Sequence, residues 1–356
     1  MNPGGTVSVA TRRHPARAHS IMTHDSLTAV QYGIGPIGAR IATAAYDTDF
    51  EFVGVIDVDP EKVGRDLGRV AGFGDEIGVV VTDDPDEALA AEPDIVFHST
   101  VSSVEAAASQ LKEAIAAGAN VVSTTEELAY PWWRAPDLAR DLDEAATENG
   151  VTLLGAGINP GFVMDALPAV LSTPMETVKS VTVERVQNAG QRRKPLQEKV
   201  GAGVSVETFE TEIAAEAGHV GSTESVAMLA DALDFDLDGI TESIEPVVAE
   251  RRIETDYTTV EPDAVAGIRQ VAHGEVGGEA VLTLDLRMYV GAEEPRDEID
   301  FEGNPDVSVT VDGGYHGDIG TSAVVTNVAP SVVDAGAGLT SMAGMMPSFT
   351  RTVGEE

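Results

Sequence analysis

The sequence predicts an α/β chain: a doubly wound parallel sheet first, then a second α+β region built on a largely antiparallel sheet. Three observations carry this. Short apolar runs recur at Ala29–Tyr32, Phe52–Ile56, Val79–Val81, Ile95–Phe97, Val121–Val122 and Val151–Leu154. Helical periods lie between several of them, such as Val104, Ala108, Leu111 and Ile115, or Leu138, Leu142 and Ala145. Continuous apolar strands separated by helices indicate a parallel sheet covered on both faces. Further on, Leu282, Leu284, Leu286 and Met288 alternate with Thr283, Asp285, Arg287 and Tyr289, and Val307, Val309 and Val311 with Ser308 and Thr310. Period-two alternation marks strands with one face buried and one wet.

Taken in order, residues 1–27 carry Arg12, Arg13 and Arg17, a single acid (Asp25) and no apolar block. A secretory signal needs an apolar core of about 7 residues or more, so this segment reads as a disordered extension, with Met22 placed as an alternative start. Residues 28–157 form the first domain. It opens with an apolar strand, the turn Gly33-Ile34-Gly35-Pro36-Ile37-Gly38, an amphipathic segment and a second apolar strand ending at Asp57. Gly33 permits the tight turn, Gly35 lets backbone approach a pyrophosphate, and Gly38 lets helix and strand pack closely. The helix N-terminus favours an anion, and Asp57 can accept from ribose hydroxyls. These features together indicate a Rossmann-type unit for a nicotinamide dinucleotide. Asp57 favours NAD over NADP because a 2′-phosphate would meet a like charge, although Arg65 lies near in sequence.

Several segments fall where open α/β sheets bind ligands. Ser99 and Thr100 follow a strand, as cofactor contacts or as caps for a helix near Ser103; His98 beside them reads as structural. Glu126 and Glu127, after the next strand, can bind a substrate ammonium or act as a base, or simply favour a helix dipole. Asn159, in Gly155–Phe162 at the domain junction, offers a donor and an acceptor to a carboxamide.

Residues 158–319 form the second domain, with helices expected at Val206–Ala217 and Ser222–Leu233. A last helix, Gly320–Asp334, lies in a segment (320–350) that packs back on the first domain. Arg192-Arg193-Lys194 and Lys199 make the sole basic cluster, suited to a carboxylate; within it Arg193 and Lys199 are the candidates. His219, between Gly218 and Val220-Gly221, is the first candidate for proton transfer, with His316 in a similar setting. Either histidine can also be a turn residue. No H-E-x-x-H spacing supports a metal site.

Composition excludes other classes. With 43% hydrophobic residues the chain supports real cores, and it has no 18-residue apolar run for a membrane span. Zero cysteines remove disulfides and thiolate catalysis. Sixty acids against 22 bases leave a net charge of −38, which makes nucleic acid an unfit partner. The acids are spread along the chain, as in DDPDEALAAEPD and ARDLDEAATE. This spread indicates adaptation to a salt-rich cytoplasm, not a docking surface for a basic protein.

The Gly33–Gly38 turn, His98-Ser99-Thr100, Ser123–Trp133 (STTEELAYPWW), Ile158–Phe162, Arg192–Gly203, Gly218–Gly221 and Tyr315–Asp318 together resemble the 2,4-diaminopentanoate dehydrogenases, relatives of dihydrodipicolinate reductase. The resemblance covers nearly everything after residue 28. It implies NAD(P)-dependent oxidative deamination of a small amino or diamino acid by a homo-oligomer. His219 would then be the base, Glu126 or Glu127 would meet an ammonium, and Arg193 and Lys199 would grip a carboxylate, with His316 nearby. The reductases proper carry a paired-histidine motif, and none of the seven histidines here is adjacent to another. An imine reductase and a non-catalytic nicotinamide sensor are the alternative readings.

The charge pattern makes a first prediction. Molar salt shrinks the screening length to about 3 Å and removes most self-repulsion. The thermal unfolding midpoint should therefore climb as KCl is raised from millimolar to molar; full stability in dilute buffer would count against the salt reading.

Overall fold

The computed structural model describes residues 26–48, 50–192, 194–214 and 218–345. The N-terminal extension up to residue 25 lies outside them. Strands β1 (Leu27–Tyr32), β2 (Phe50–Ile56), β3 (Val81–Thr82), β4 (Ile95–His98), β5 (Asn120–Ser123) and β6 (Thr152–Gly155) join the chain's last strand, β15 (Gly338–Thr340), in one sheet. All pairs are parallel, and the order is β15-β6-β5-β4-β1-β2-β3. Strand order reverses between β1 and β4, so a crevice opens at their carboxyl ends, where such sheets bind ligands.

The helix Pro36–Tyr46 springs from that crevice with proline in its first turn, and it buries Gly38, Ile41, Ala42 and Ala45. Two glycines make the turn possible. Gly33 has φ of +86°, and a Cβ there would sit 2.5 Å from the Ser99 carbonyl oxygen. A Cβ on Gly38 would lie 2.0 Å from the Gly33 carbonyl oxygen. Neither position accepts a side chain without moving backbone.

The second sheet comprises β7 (Thr177–Asn188), β8 (Gly239–Val248), β11 (Val265–Val276), β12 (Glu279–Tyr289), β13 (Arg296–Asn304) and β14 (Val307–Asp312). The short pair β9 (Ile253–Glu254) and β10 (Thr259–Val260) stands apart. The large sheet runs β14-β13-β7-β12-β11-β8; β7 and β12 are parallel and the other neighbours antiparallel. Val183, Leu284, Leu286 and Ile299 point inward onto Val226, Leu229 and Ala230 of the helix Ser222–Leu233. That helix has the bounds its apolar period predicts.

The opposite face departs from the expected wet surface at Asp285, which is only 5% exposed. Arg269 and Arg287 each approach it at 2.8 Å, and Arg287 also pairs with Glu184. A buried carboxylate is tolerated here because two guanidiniums satisfy it; they hold its pKa below the usual carboxylate range against the opposing pull of burial.

The helix Gly317–Val333 returns to the first sheet, where Val325, Val328, Ala329 and Val332 join Ile34, Ile41, Phe97 and Leu154 in one core. It starts before the expected Gly320 because His316 caps it: the Ile319 N–H reaches His316 Nδ1 at 3.4 Å. Other boundaries shift too. The run Val79–Val81 becomes the two-residue edge strand β3, leaving Val80 exposed. Of the helix expected over 206–217, the described part is helical, a turn at Val206–Thr208 running into a wider π turn, Phe209–Ile213, and residues 215–217 lie outside the described residues. No apolar period signals β15, which is three residues long. Among the described residues no helix is long and apolar enough to cross a membrane.

The glycine geometry separates two similar substitutions. Gly38→Ala should cost about 1–3 kcal/mol by overpacking against backbone. A Cβ on Gly35 meets nothing within 4 Å, so Gly35→Ala should leave stability within ~0.5 kcal/mol. Denaturant unfolding in molar salt compares them; equal midpoints would refute the packing role of Gly38.

Candidate active site

The crevice of the first sheet and the inner face of the second enclose a cavity of about 400 Å³, within the range of small-molecule sites. Its first end is the glycine turn. Gly35, Pro36 and Ile37 line it, and the open space beside Gly35 leaves room for a ligand against the backbone. Gly33 and Gly38 act from beneath. Ile34 is buried in the core, and its N–H donates to Asp57 Oδ2 at 2.8 Å.

Asp57 is more engaged than its place at the end of β2 suggests. Oδ1 accepts from the Asp59 N–H at 2.9 Å, and Lys62 Nζ stands 3.3 Å from Oδ2 and 3.2 Å from Asp59. The cation beside Asp57 is therefore Lys62 and not Arg65, which donates instead to the Glu61 carbonyl.

Ser99 and Thr100 line the cavity, but both hydroxyls already have partners. Ser99 Oγ donates to the Gly33 carbonyl (2.9 Å) and accepts from Gln31 Nε2 (2.9 Å). Thr100 Oγ1 donates to Gln110 Oε1 at 2.7 Å. Ser103 does precede a helix, Val104–Ala116, yet its side chain makes no cap. His98 is buried between Ser123 Oγ and Gln110 Oε1, and burial pushes its pKa down to about 4. It is a neutral structural histidine.

The other end of the cavity is polar. Glu126 and Glu127 separate here. Glu126 lines the cavity. Glu127 turns away and caps the helix Val104–Ala116, accepting from the Val104 N–H at 2.9 Å; its other oxygen faces Arg134 at 3.9 Å. The backbone of a neighbouring helix claims it, so Glu127 does not line the cavity.

His219 lines the same end from the second domain. Its Nδ1 lies 2.7 Å from the Val220 carbonyl oxygen. A carbonyl only accepts, so Nδ1 carries the proton and Nε2 keeps its lone pair. Desolvation lowers the pKa of His219, the negative charge of Glu126 opposes this, and Lys199 and Arg185 reinforce it; the net direction is down. The imidazole is a neutral proton acceptor at neutral pH.

Asn159 joins the wall with an acceptor to spare: its Oδ1 is buried and has no hydrogen-bond partner. The turn after it is held by Asp165, fully buried, which accepts from the Gly161 N–H (2.8 Å) and from Ser225 Oγ (2.7 Å). The residues present therefore fit a dinucleotide: a helix N-terminus, an open glycine face, and an orphaned acceptor suited to a carboxamide.

The basic cluster divides as well. Lys199 lines the cavity; Arg193 lies outside the described residues. Arg192, not singled out from the sequence, lines the cavity and pairs with Asp318 at 2.7 Å. His316 is the exposed helix cap already described and does not line the cavity. The sequence reading also missed Arg185 and Gln187, buried on β7. Arg185 pairs with Asp297 at 2.6 Å, and both side chains donate to the Tyr315 carbonyl. The strand β7 was not among those expected from the sequence, and no motif marks which of its faces meets the cavity.

A family model described as the 2,4-diaminopentanoate dehydrogenase C-terminal domain matches residues 162–353. The chain is 32% identical over 328 residues to 2,4-diaminopentanoate dehydrogenase of Acetoanaerobium sticklandii, covering 87% of this chain and 90% of that one. It is 27% identical over 316 residues to an amine dehydrogenase of Streptomyces virginiae, covering 82% and 86%. Among solved structures, the amine dehydrogenase from Mycobacterium smegmatis superposes with a TM-score of 0.80 at 25% identity, covering 92% of this chain and 98% of that one.

The state of His219 sets a pH dependence. If its Nε2 takes the proton that an amine must lose before oxidation, kcat/KM should fall only at acid pH, along a limb below the ordinary histidine value of about 6.5. His219→Asn should abolish that limb and cut turnover ~100-fold or more. A variant with the parent rate and profile would remove His219 from the chemistry.

Proposed function

Because the chain belongs to the 2,4-diaminopentanoate dehydrogenase family and is an amine dehydrogenase, we propose that its cavity oxidatively deaminates a small amino or diamino acid with a nicotinamide dinucleotide. The observation that carries this reading is one convergence. Glu126, His219 with a free Nε2, Asn159 with an unpaired acceptor, and Lys199 all face the space that begins at Gly35.

The glycine turn and the helix behind it would hold the pyrophosphate, and Asn159 Oδ1 would accept from the carboxamide. When bound, the nicotinamide supplies the hydride acceptor. Everything else falls to side chains. Glu126 meets the substrate ammonium as a counter-charge. His219 Nε2 removes a proton from that ammonium, since a protonated amine does not release hydride readily. Loss of the hydride from the amine carbon leaves an imine, which water hydrolyses to a ketone and ammonia. Lys199, with Arg193, holds the substrate carboxylate; Arg192 is already spent on Asp318.

Asp57 supports NAD as the preferred coenzyme on charge grounds. Lys62 beside it softens that preference by neutralising part of the charge. A homo-oligomer in a salt-rich cytoplasm completes the proposal, the first part from family resemblance and the second from the net charge.

The test is a panel of diamino acids, amino acids and plain amines, each with NAD and NADP at molar KCl, following reduced cofactor and ammonia together. 2,4-Diaminopentanoate should be oxidised with one ammonia per reduced cofactor. The matching amine without a carboxylate should lose ~10-fold or more in kcat/KM, from one missing charge-assisted contact. No reduction with any amine would overturn the proposal; equal rates with and without the carboxylate would remove Lys199 from it.

A further inference from the structure

The histidine on which the proton transfer rests sits in an irregular loop with glycine at 218 and 221, and such a loop does not aim a side chain by itself. One buried residue supplies the missing rigidity. Gln270, on β11, is 2% exposed, and its amide meets the His219 peptide on both sides. Oε1 accepts from the His219 N–H at 2.7 Å, and Nε2 donates to the His219 carbonyl at 2.9 Å. A backbone N–H only donates and a carbonyl only accepts, so the amide orientation is unambiguous. Nε2 also lies 3.0 Å from Ser222 Oγ and 2.8 Å from Glu242 Oε1, so the carboxylate on β8 anchors the amide from its far side.

We propose that Gln270 is a positioning residue for His219: by gripping the peptide groups on either side of it, Gln270 directs Nε2 into the cavity. The pair of bonds imitates the exchange between neighbouring strands and extends the order of β11 into a loop that belongs to no sheet. The Nδ1 bond to Val220 fixes the ring within its own loop, and Gln270 fixes that loop against the sheet. The charges that shift the imidazole are Glu126, Lys199 and Arg185; Glu242 bonds Gln270. Misplacing a reacting group by about 1 Å can cost ~100-fold in rate, which sets the scale of the effect.

The inference rests on His219 as the base, and the experiment keeps the two separable. Full-length Gln270→Leu, Gln270→Glu, His219→Asn and the double variant Gln270→Leu/His219→Asn would be assayed with 2,4-diaminopentanoate and NAD. NADH affinity would be read by fluorescence on each protein. Gln270→Leu should lower kcat ~100-fold, leave NADH affinity within about threefold, and move the acid limb of kcat/KM up toward the ordinary histidine value as water enters the loop. Gln270→Glu keeps the acceptor for the His219 N–H but loses the donations and sets a second carboxylate against Glu242, so it should be at least as slow as the Leu variant; it decides the matter alone if the Leu variant does not fold. The double variant should be no slower than His219→Asn, because residues acting as a unit are not additive. A Gln270 variant with the parent rate and acid limb, beside a slow His219→Asn, would overturn the positioning role alone. So would a Gln270 loss that multiplies with the His219 loss. An unchanged His219→Asn would reject the base assignment and this inference with it.

Discussion

The site depends on a single close approach, at Gly221. This residue has φ of +99°, and a Cβ there would sit 2.5 Å from Pro160 Cγ and 3.3 Å from Glu126 Cβ. Three loops therefore touch at a point with no room for a side chain. One follows β5 and carries Glu126, one follows β6 and carries Asn159, and the third carries His219. Because the first two follow strands of the parallel sheet and the third leads into the helix Ser222–Leu233 that packs on the other sheet, this contact joins the two halves of the cavity. Nearby, Arg134 reaches across to Glu224 at 2.6 Å and to Thr223 at 2.8 Å, tying the segment after Glu126 to the helix after His219. Glu224 is fully buried, and an unpaired carboxylate there would be costly, so the two halves are held by electrostatics as well as by fit.

The buried charges follow one logic in a chain dominated by acids. Asp165 and Asp297 are both shielded from water, and each carboxylate is answered by N–H, hydroxyl or guanidinium donors. With Arg185 spent on Asp297 and Arg192 on Asp318, two of the cavity's cations are anchored to scaffold carboxylates. Lys199 is left facing the cavity without an ion pair among the described residues. The field at His219 is consequently mixed. Glu126 favours its charged form; burial and the cations disfavour it, and burial wins. An uncharged base facing a carboxylate is what removal of a proton from an ammonium requires.

Legibility differed by element for physical reasons. The Gly33–Gly38 turn was readable because its glycines serve a tight turn, ligand approach and close packing at fixed spacing, and Gly33 and Gly38 sit where a Cβ would strike a carbonyl oxygen. The helix Ser222–Leu233 was readable because its apolar period, Val226, Leu229 and Leu233, packs on the second sheet, although burial runs all round it from Glu224 to Ala230. Adjacent Glu126 and Glu127 were indistinguishable in sequence, since their difference is a hydrogen bond to Val104, 23 residues away. Arg65 was the cation named beside Asp57 from the sequence, and only the turn after Asp57 shows that Lys62 comes back instead. Arg185, Gln187 and Gln270 carry no local signature; each matters through a partner more than 50 residues distant.

By itself the sequence determined the two-part α/β architecture, the dinucleotide turn, the family resemblance and the acidic character. These follow from local periodicity, backbone sterics and composition, which need no knowledge of distant contacts. Only the tertiary structure decided which acid faces the cavity, which cation stands beside Asp57, that His316 is a helix cap, and which ring nitrogen of His219 is free. Those outcomes depend on hydrogen bonds and burial between segments far apart in the chain. A side chain's chemistry is set by the groups that fold against it.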